Sequence, residues 1–519
     1  MTIQYELEFD IDYDGQFANP DGHIGDRLLS ASWSLGMSDG NQLISSPMQA
    51  SATIYDPNLD FSQDREDTPF GIGIRGMLVR LRATVNGNSY TLVTGWIKNV
   101  VSHEHASRFT TSITFEDKIL ELQDAEYLPM LSTNTRIDTE LQNLFDTGIV
   151  AYPYDRSYWV MGASQLDIDT VLYDEQIVEL DESFTTLDWV GDAADRGTGV
   201  SGMGYVTDLV SAEVGGRFFT NRAGKFVFHN RYRDFDTLVS DTFSAEDYDN
   251  ADAIQTEVFN VVTVNYMPRQ VGTPGQVLFS SQNVPFSIPP YETRVIKGRY
   301  NDPDNPNASV GGMDIIDPVP VTDYLANLAE DGLSSDVTGS LHVAAEKGAT
   351  SAQISITNGY RRTAYIQKLQ IRGTPLITHQ QEQVEFKDAE SIQLYGEVPL
   401  QPYELRFVSN ITLAEGYAQE ILNRFKVPRT RYSWIEFILG SRDGVRDDLA
   451  NRVLSCRVGD KINVSNSVTG HTRDYVIVGE QHQVNGIRHS VRYILRPSNR
   501  TAIWVLNTSR LNNDTILGL

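Results

Sequence analysis

The chain has 519 residues, and 69 Asp and Glu against 42 Lys and Arg leave a formal net charge of −27. A groove for phosphate backbones is therefore not its main feature, because nucleic-acid binding rests on basic surface. Hydrophobic residues at 40% exclude wholesale disorder, and the length exceeds what one core sustains, so two to four domains are expected.

The start, Met1-Thr2-Ile3-Gln4-Tyr5-Glu6, has neither a basic n-region nor an apolar h-region, and no run reaches the roughly 18 apolar residues of a membrane span. The expectation is a soluble chain made in the cytoplasm with no membrane span. Next comes Asp10-Ile11-Asp12-Tyr13-Asp14-Gly15, with Asp21 at the twelfth position, close to the D-x-D-x-D-G loop that wraps calcium in carboxylate oxygens. Asp21 stands where that loop has a bidentate glutamate, and Tyr5, Leu7, Phe9, Ile11 and Tyr13 alternate as in a strand. Asp10, Asp12, Asp14 and Asp21 are thus either calcium ligands or an acidic hairpin end.

From about 26 to 122 the pattern has period two. Val79, Leu81, Ala83 and Val85 share one face, Asn86-Gly87 supplies a tight turn, and Tyr90, Leu92, Thr94 and Trp96 resume the apolar face on the return strand. Further strands are expected at Leu28 to Leu35, Met48 to Tyr55 and Thr110 to Phe115. His103-Glu104-His105 would put two imidazoles on one strand face, yet no third zinc ligand has a recognisable spacing.

Helices are expected around Ile137, Leu141, Leu144 and Phe145, then over Phe184 to Asp195 and Tyr205 to Val214. A hairpin should follow over Arg217 to Phe228. Gly197-Thr198-Gly199-Val200-Ser201-Gly202 matches GxGxxG, but no strand feeds it, so a nucleotide cradle lacks its geometry.

Strands resume at Val258 to Tyr266 and lead into the turn-rich Asn301 to Asn307. Alternating runs between Thr338 and Leu376 predict a small inserted β domain whose Tyr360 and Tyr365 would serve as glycan platforms if exposed. Thr412-Leu413-Ala414-Glu415 has the form of a capping box, and Tyr417, Ile421 and Phe425 follow on one helical face. The single Cys456, in the strand-like Val453 to Val458, excludes an intrachain disulfide. No HExxH, Walker loop or hydrolase signature is present, so no enzymatic activity is expected.

Several segments then fall in a familiar order: Leu28 to Gly36, Ala50 to Pro57, the hairpin ending Val93-Thr94-Gly95-Trp96, Ala212 to Phe219 running on to Arg231, Asn260 to Val264, Asp388 to Gly396 and Trp504 to Leu511. Their order resembles the minor tail or tail-tip hub proteins of tailed bacteriophages, the family related to baseplate hub and tail-associated proteins.

That resemblance implies a mainly β chain with α+β parts: two tail-tube-like antiparallel β-barrels, a mixed α/β domain and a small inserted β domain. The divisions are 1–122 for the first barrel, 123–235 for the α/β domain and 236–300 for the start of the second barrel. Residues 301–388 hold the crossing loop and the inserted domain, and 389–519 the rest of the second barrel with the capping-box helix and C-terminal tail. It further implies a virion structural protein at the distal tail, a homotrimer forming a pseudo-sixfold ring. Its partners would be the tail tube or distal tail protein, the tape measure protein, and a tail fibre or receptor-binding protein. Genomic DNA would pass through the lumen without specific binding, along walls expected to be acidic. A carbohydrate-binding host-recognition tail protein is the alternative reading.

Overall fold

The protein is described from a computed structural model, which covers residues 3–13, 15–62, 65, 67–68, 70, 74–105, 108–127, 129–150, 178–191, 200–441, 444–498, 502–503 and 515–516. It is mainly β, with helices set among the strands. Among the described residues three large hydrophobic clusters mark its parts.

The first cluster lies under a thirteen-stranded sheet. Its strands in chain order are β1 Gln4–Phe9, β2 His23–Gly25, β3 Leu28–Gly36, β4 Gln49–Tyr55, β5 Leu78–Val85, β6 Asn88–His105 and β7 Arg108–Glu116. The remaining six are β8 Val239–Ser244, β9 Asn250–Gln255, β10 Thr430–Ile438, β11 Lys461–Asn466, β12 His471–Asn485 and β13 Arg488–Pro497. The spatial order is β9-β10-β13-β12-β3-β4-β7-β6-β5-β1-β2, with β11 paired to β12 and β8 to β11.

The two strand sets anticipated as separate barrels are therefore joined. β3 runs antiparallel to β12, from Ser30 opposite Asn485 to Gly36 opposite Gly479. Glycine is required at this seam: a Cβ on Gly479 would sit 2.0 Å from the Met37 carbonyl oxygen, and Gly36 has φ +77°. The β5–β6 hairpin forms where expected, with Asn86 and Gly87 both left-handed at φ 51° and 84°, as a two-residue turn with the right twist demands.

The mixed α/β unit holds the second cluster. It contains α1 Ile137–Asp146, α2 Gly202–Ser211 and the Arg217–Thr220/Phe226–His229 hairpin. Residues 186–190, expected as helix, form the strand Thr186–Val190 against Ser132–Arg136. Leu187 and Val190 are three apart, which mimics a helical face, but both are buried from a short strand rich in Thr, Trp and Val.

The segment 236–300 does not simply open a second barrel. β8 and β9 join the large sheet, but Val261–Tyr266 pairs with Glu382–Lys387 and Tyr403–Leu405 in the α/β unit. The inserted domain begins earlier than expected: the strands from Arg269–Val271 onward surround Ala364–Thr378, and Asn301 to Asn307 is one of its internal turns. α3, Ile411–Phe425, also lies elsewhere than expected. It packs on Val261–Tyr266 and Glu382–Lys387, and its Tyr417 hydroxyl donates to the Ala212 carbonyl. Its N-cap is Asn410, whose side chain accepts from the Thr412 amide at 2.8 Å, so the proposed capping box lies inside the first turn.

α4, Asp447–Ser455, replaces the strand anticipated before Cys456. Leu449, Ala450, Val453 and Leu454 are buried at helical spacing, and Asp447 with Asp448 at its start and Arg452 at its end suit the helix dipole. Cys456 is buried just beyond, and burial pushes its thiol up to about 12, so it is a structural thiol.

Candidate functional site

The face of the large sheet turned away from its core is built by alternation. On β3, Ala31, Trp33 and Leu35 are buried, which leaves Ser30, Ser32 and Ser34 on the outside. On β4, Ala50, Ala52 and Ile54 are buried and Ser51 and Thr53 face out. β7 presents Ser112 and Thr114, and β12 presents Gln481, Gln483 and Asn485.

Registers bring these side chains into continuous rows. One row runs Ser112, Thr53, Ser30, Asn485, and the next Thr114, Ser51, Ser32, Gln483. Hydroxyls bridge across strands, Ser32 to Ser51 at 3.1 Å and Thr53 to Ser112 at 3.3 Å. In a chain of net charge −27, four adjacent strands thus present neutral hydroxyls and amides through these rows. Charges return at the flanks, where Lys98 meets Glu116 at 2.6 Å and Arg492 lies over the Trp434 ring, 4.1 Å from its centroid. Each segment's alternation was legible in the sequence. The rows were not, because they require strands from opposite ends of the chain to pair.

Behind the seam lies a buried polar chain. Arg222, in the turn of the Arg217–Thr220/Phe226–His229 hairpin, reaches from the α/β unit into the large sheet. Its Nε donates to Glu480 Oε1 at 2.7 Å and its Nη2 to Oε2 at 2.6 Å. The same guanidinium donates to the carbonyls of Leu454 and Cys456 at 2.6 and 2.8 Å. Burial alone would raise the Glu480 carboxyl, but Arg222 more than offsets that and holds it down to about 2. His482 stacks on Trp33, ring centroids 4.5 Å apart, and its Nδ1 lies 3.0 Å from His489 Nε2. Burial holds both imidazoles below their ordinary range. Arg217, Asp234 and Arg496 form a second ion-paired joint between the two parts.

Of the aspartates considered for calcium, Asp14 lies outside the described residues. Asp10 is buried and accepts the Gly15 amide at 2.9 Å. Asn19 Nδ2 donates to both carboxylate oxygens of Asp12, at 3.0 and 2.9 Å, and the Asp21 amide donates to Asn19 Oδ1 at 3.1 Å. Asn19 thus ties the loop. Among the described residues the acidic and imidazole side chains that converge, with ligand atoms within 4.8 Å of one another, are Glu6, Glu8 and His23. Glu8 is fully buried and already neutralised by Arg80 and Arg82 at 2.5 and 2.7 Å, which makes this an ion-pair cluster rather than an open cation site. Calcium is therefore expected to leave the melting temperature where a chelator leaves it. A calcium-dependent rise, lost in Asp12→Ala, would mark the loop as a metal site.

His103 and His105 both lie on β6, and His103 is exposed. Gly197 to Gly199 lies outside the described residues, while Ser201 caps α2 by accepting the Gly204 amide at 3.0 Å. Tyr360 and Tyr365, considered as glycan platforms, are half-buried. The tail segment Trp504 to Leu511 also lies outside the described residues.

No protein-family model matches the chain, and no curated protein matches it. Among solved structures it is similar to a tail protein from Neisseria meningitidis MC58, at 10% identity over 95% of this chain and 97% of that one, with a TM-score of 0.44. It is also similar to the 43 kDa tail protein of prophage MuSo2 from Shewanella oneidensis, at 9% identity over 95% and 98% of the two chains and a TM-score of 0.43. A third similar structure is an E. coli type VI secretion system component described as structurally similar to the T4 tail proteins gp27 and gp5. There the identity is 9%, the coverage 92% of this chain and 78% of that chain, and the TM-score 0.32.

Proposed function

We propose that the chain is a virion structural protein, the hub at the distal end of a phage tail. It closes or extends the tail tube, joins it to host-recognition parts, and surrounds the passage through which the genome leaves. In this reading three copies form a ring. A tail tube or distal tail protein sits on one side with the tape measure protein within reach, and a tail fibre or receptor-binding protein on the other. The role is structural rather than catalytic.

The observation that carries this reading is the neutral face across β7, β4, β3 and β12. Its opposite side is occupied by the core and, at the seam, by the α/β unit, whose Arg222 reaches Glu480. A ring of such sheets has room for that bulk only on its outside, so the hydroxyl and amide rows turn inward. A neutral, hydrated wall offers no cation to hold a phosphate and no apolar patch to hold a base, so a polyanion slides past it. In this reading the wall along these rows is neutral rather than acidic, since the rows carry no carboxylate.

Two measurements test the reading. Electron microscopy of particles carrying a labelled chain should place the label at the distal end of the tail tube, whereas label on fibres alone, or absent from particles, would defeat it. Ser32→Lys combined with Ser51→Lys, both exposed sites, should leave melting within the small range of surface changes but slow genome release, increasingly so at low salt. Unchanged release from particles that contain the variant would show that this face does not meet the genome.

A further inference from the structure

The end of the seam where β12 turns into β13 encloses two imidazoles. Gly486, left-handed at φ 58°, makes that turn, and its amide donates to the Leu29 carbonyl at 3.0 Å, which holds the turn against the start of β3. His489, the second residue of β13, and His482 on β12 are both buried. His482 Nε2 lies 3.5 Å from Glu480 Oε2. A lone pair there would face the carboxylate, so the proton belongs on Nε2 and Nδ1 is the acceptor. The contact of 3.0 Å between His482 Nδ1 and His489 Nε2 is then donated by His489. The chain of donors runs one way, from His489 through His482 to Glu480, where Arg222 meets it from the other side. That direction leaves a bare lone pair on His489 Nδ1, which has no hydrogen-bond partner among the described residues.

The charged and titratable groups that face this pair offer it no relief. β12 supplies Glu480, the Arg217–Thr220/Phe226–His229 hairpin supplies Arg222, and β1 supplies Tyr5, whose ring stands edge-on to His489 at 5.7 Å. β3 supplies the uncharged Trp33, stacked on His482 and 6.0 Å from His489 between ring centroids. Beside Glu480 stand Tyr493 of β13 and Cys456, both kept neutral by burial. β10 adds the Leu439 amide, which donates to the His489 carbonyl at 2.8 Å. Glu480, the one carboxylate in this group, is bound twice by Arg222 and lies beyond His482. A proton arriving on His489 Nδ1 therefore makes a buried cation whose N–H has no acceptor. Water is the acceptor it needs, and water enters when the turn leaves Leu29.

We infer that His489 is a proton-sensitive latch: proton uptake at Nδ1 releases the β12–β13 turn from the start of β3 and opens this end of the seam, while the rest of the large sheet stays paired. Burial holds the closed imidazole well below its ordinary value, and an opened, wet one returns to about 6.5. The closed state is thus fully favoured above about pH 6.5 and loses ground as pH falls. One proton bound by the open form alone raises the opening constant about tenfold per pH unit, or about thirtyfold from about pH 7.5 to about pH 5. His229 is also depressed, to about 3, but it belongs to the hairpin that carries Arg222, so its protonation strains the joint to the α/β unit and not this turn. The latch is independent of the ring and hub reading, since every group in it belongs to one chain.

Amide exchange of the full chain, followed by mass spectrometry at these two pH values with times scaled for the intrinsic rate, tests it. Segments 28–31 and 484–489 should exchange about thirtyfold faster in acid, while β4 and β7 keep their protection. His489→Gln retains an N–H that can donate to His482 but takes up no proton, so its protection should be the same at both values. Ser30→Cys with Asn485→Cys, directly opposite each other on β3 and β12, gives a second arm that leaves both histidines in place. Oxidised, this staple should abolish the acid acceleration, and reduction should restore it. Equal protection of the wild-type segments at both values would overturn the latch. So would an acceleration that persists in folded His489→Gln or in the oxidised staple, or one that spreads evenly over the large sheet.

Discussion

Arg222→Ala should be the most damaging single substitution outside the hydrophobic cores, costing about 3–5 kcal/mol, because it leaves Glu480 buried with no counter-charge. The loss exceeds that of an exposed ion pair for a physical reason. Arg222 and Glu480 are both out of water, and the guanidinium also satisfies the Leu454 and Cys456 carbonyls that end α4. Chemical denaturation should show a lower midpoint, and the pH profile should change shape. Glu480 in the folded protein is held below the value it has in an unfolded chain. Its contribution is therefore complete above about pH 4.5 and is lost as pH falls toward about 2. In Arg222→Ala that acid-side loss should vanish, since burial without the arginine favours the protonated carboxyl. A variant that kept the wild-type midpoint would show that the joint between the α/β unit and the large sheet does not depend on this pair. Arg222→Ala combined with Glu480→Leu should recover much of the loss, since no unpaired charge is then left in the core.

Ile421→Ala should cost about 2–5 kcal/mol, the range for emptying a well-packed core site. Ile421 is 2% exposed on α3, beside the buried Tyr417 and Leu422. Since α3 covers Val261–Tyr266 and Glu382–Lys387, the damage belongs to the α/β unit rather than to the large sheet. Hydrogen exchange should accordingly accelerate first in α2, α3 and the strands beneath α3, while β3 and β12 keep their protection. On the proposed tail-hub reading, particles bearing the variant should be fewer, with incomplete tails, because a unit that opens early is removed before assembly. Normal numbers of particles that fail only in adsorption would move α3 from bracing element to receptor surface.

Local patterns were readable where burial on one face fixes the period. The β5–β6 hairpin, β3, β4, β7 and the Arg217–Thr220/Phe226–His229 hairpin follow from alternation and turn chemistry alone. Short apolar runs were not. Leu187 and Val190 fit a helix or a strand equally, and Val453 with Leu454 looked strand-like until Leu449 and Ala450 revealed the helical period. Assignment of elements to parts failed for a different reason. Val261, Val262 and Val264 pattern as a strand for any sheet, and only the helix that covers them decides which. The neutral face was half legible: the alternate serines of β3 and the Ser51–Thr53 alternation of β4 are in the sequence, but their adjacency to Gln483 and Asn485 depends on the seam.

That seam also fixes the order in which the protein can be completed. Ser30 and Asn485 are about 450 residues apart, and synthesis at the usual 5–20 residues per second takes tens of seconds to bridge them. Through that interval β3 has β4 on one side and nothing from its own chain on the other. Few contacts in a protein are more distant in sequence, and closing them late makes folding slow. β3's waiting edge bears Ser30, Ser32 and Ser34 on one face and the apolar Ala31, Trp33 and Leu35 on the other. Only the serine side can safely stay wet, so a nascent chain needs either rapid collapse of the N-terminal strands over Trp33 or a chaperone holding that edge until the last strands emerge.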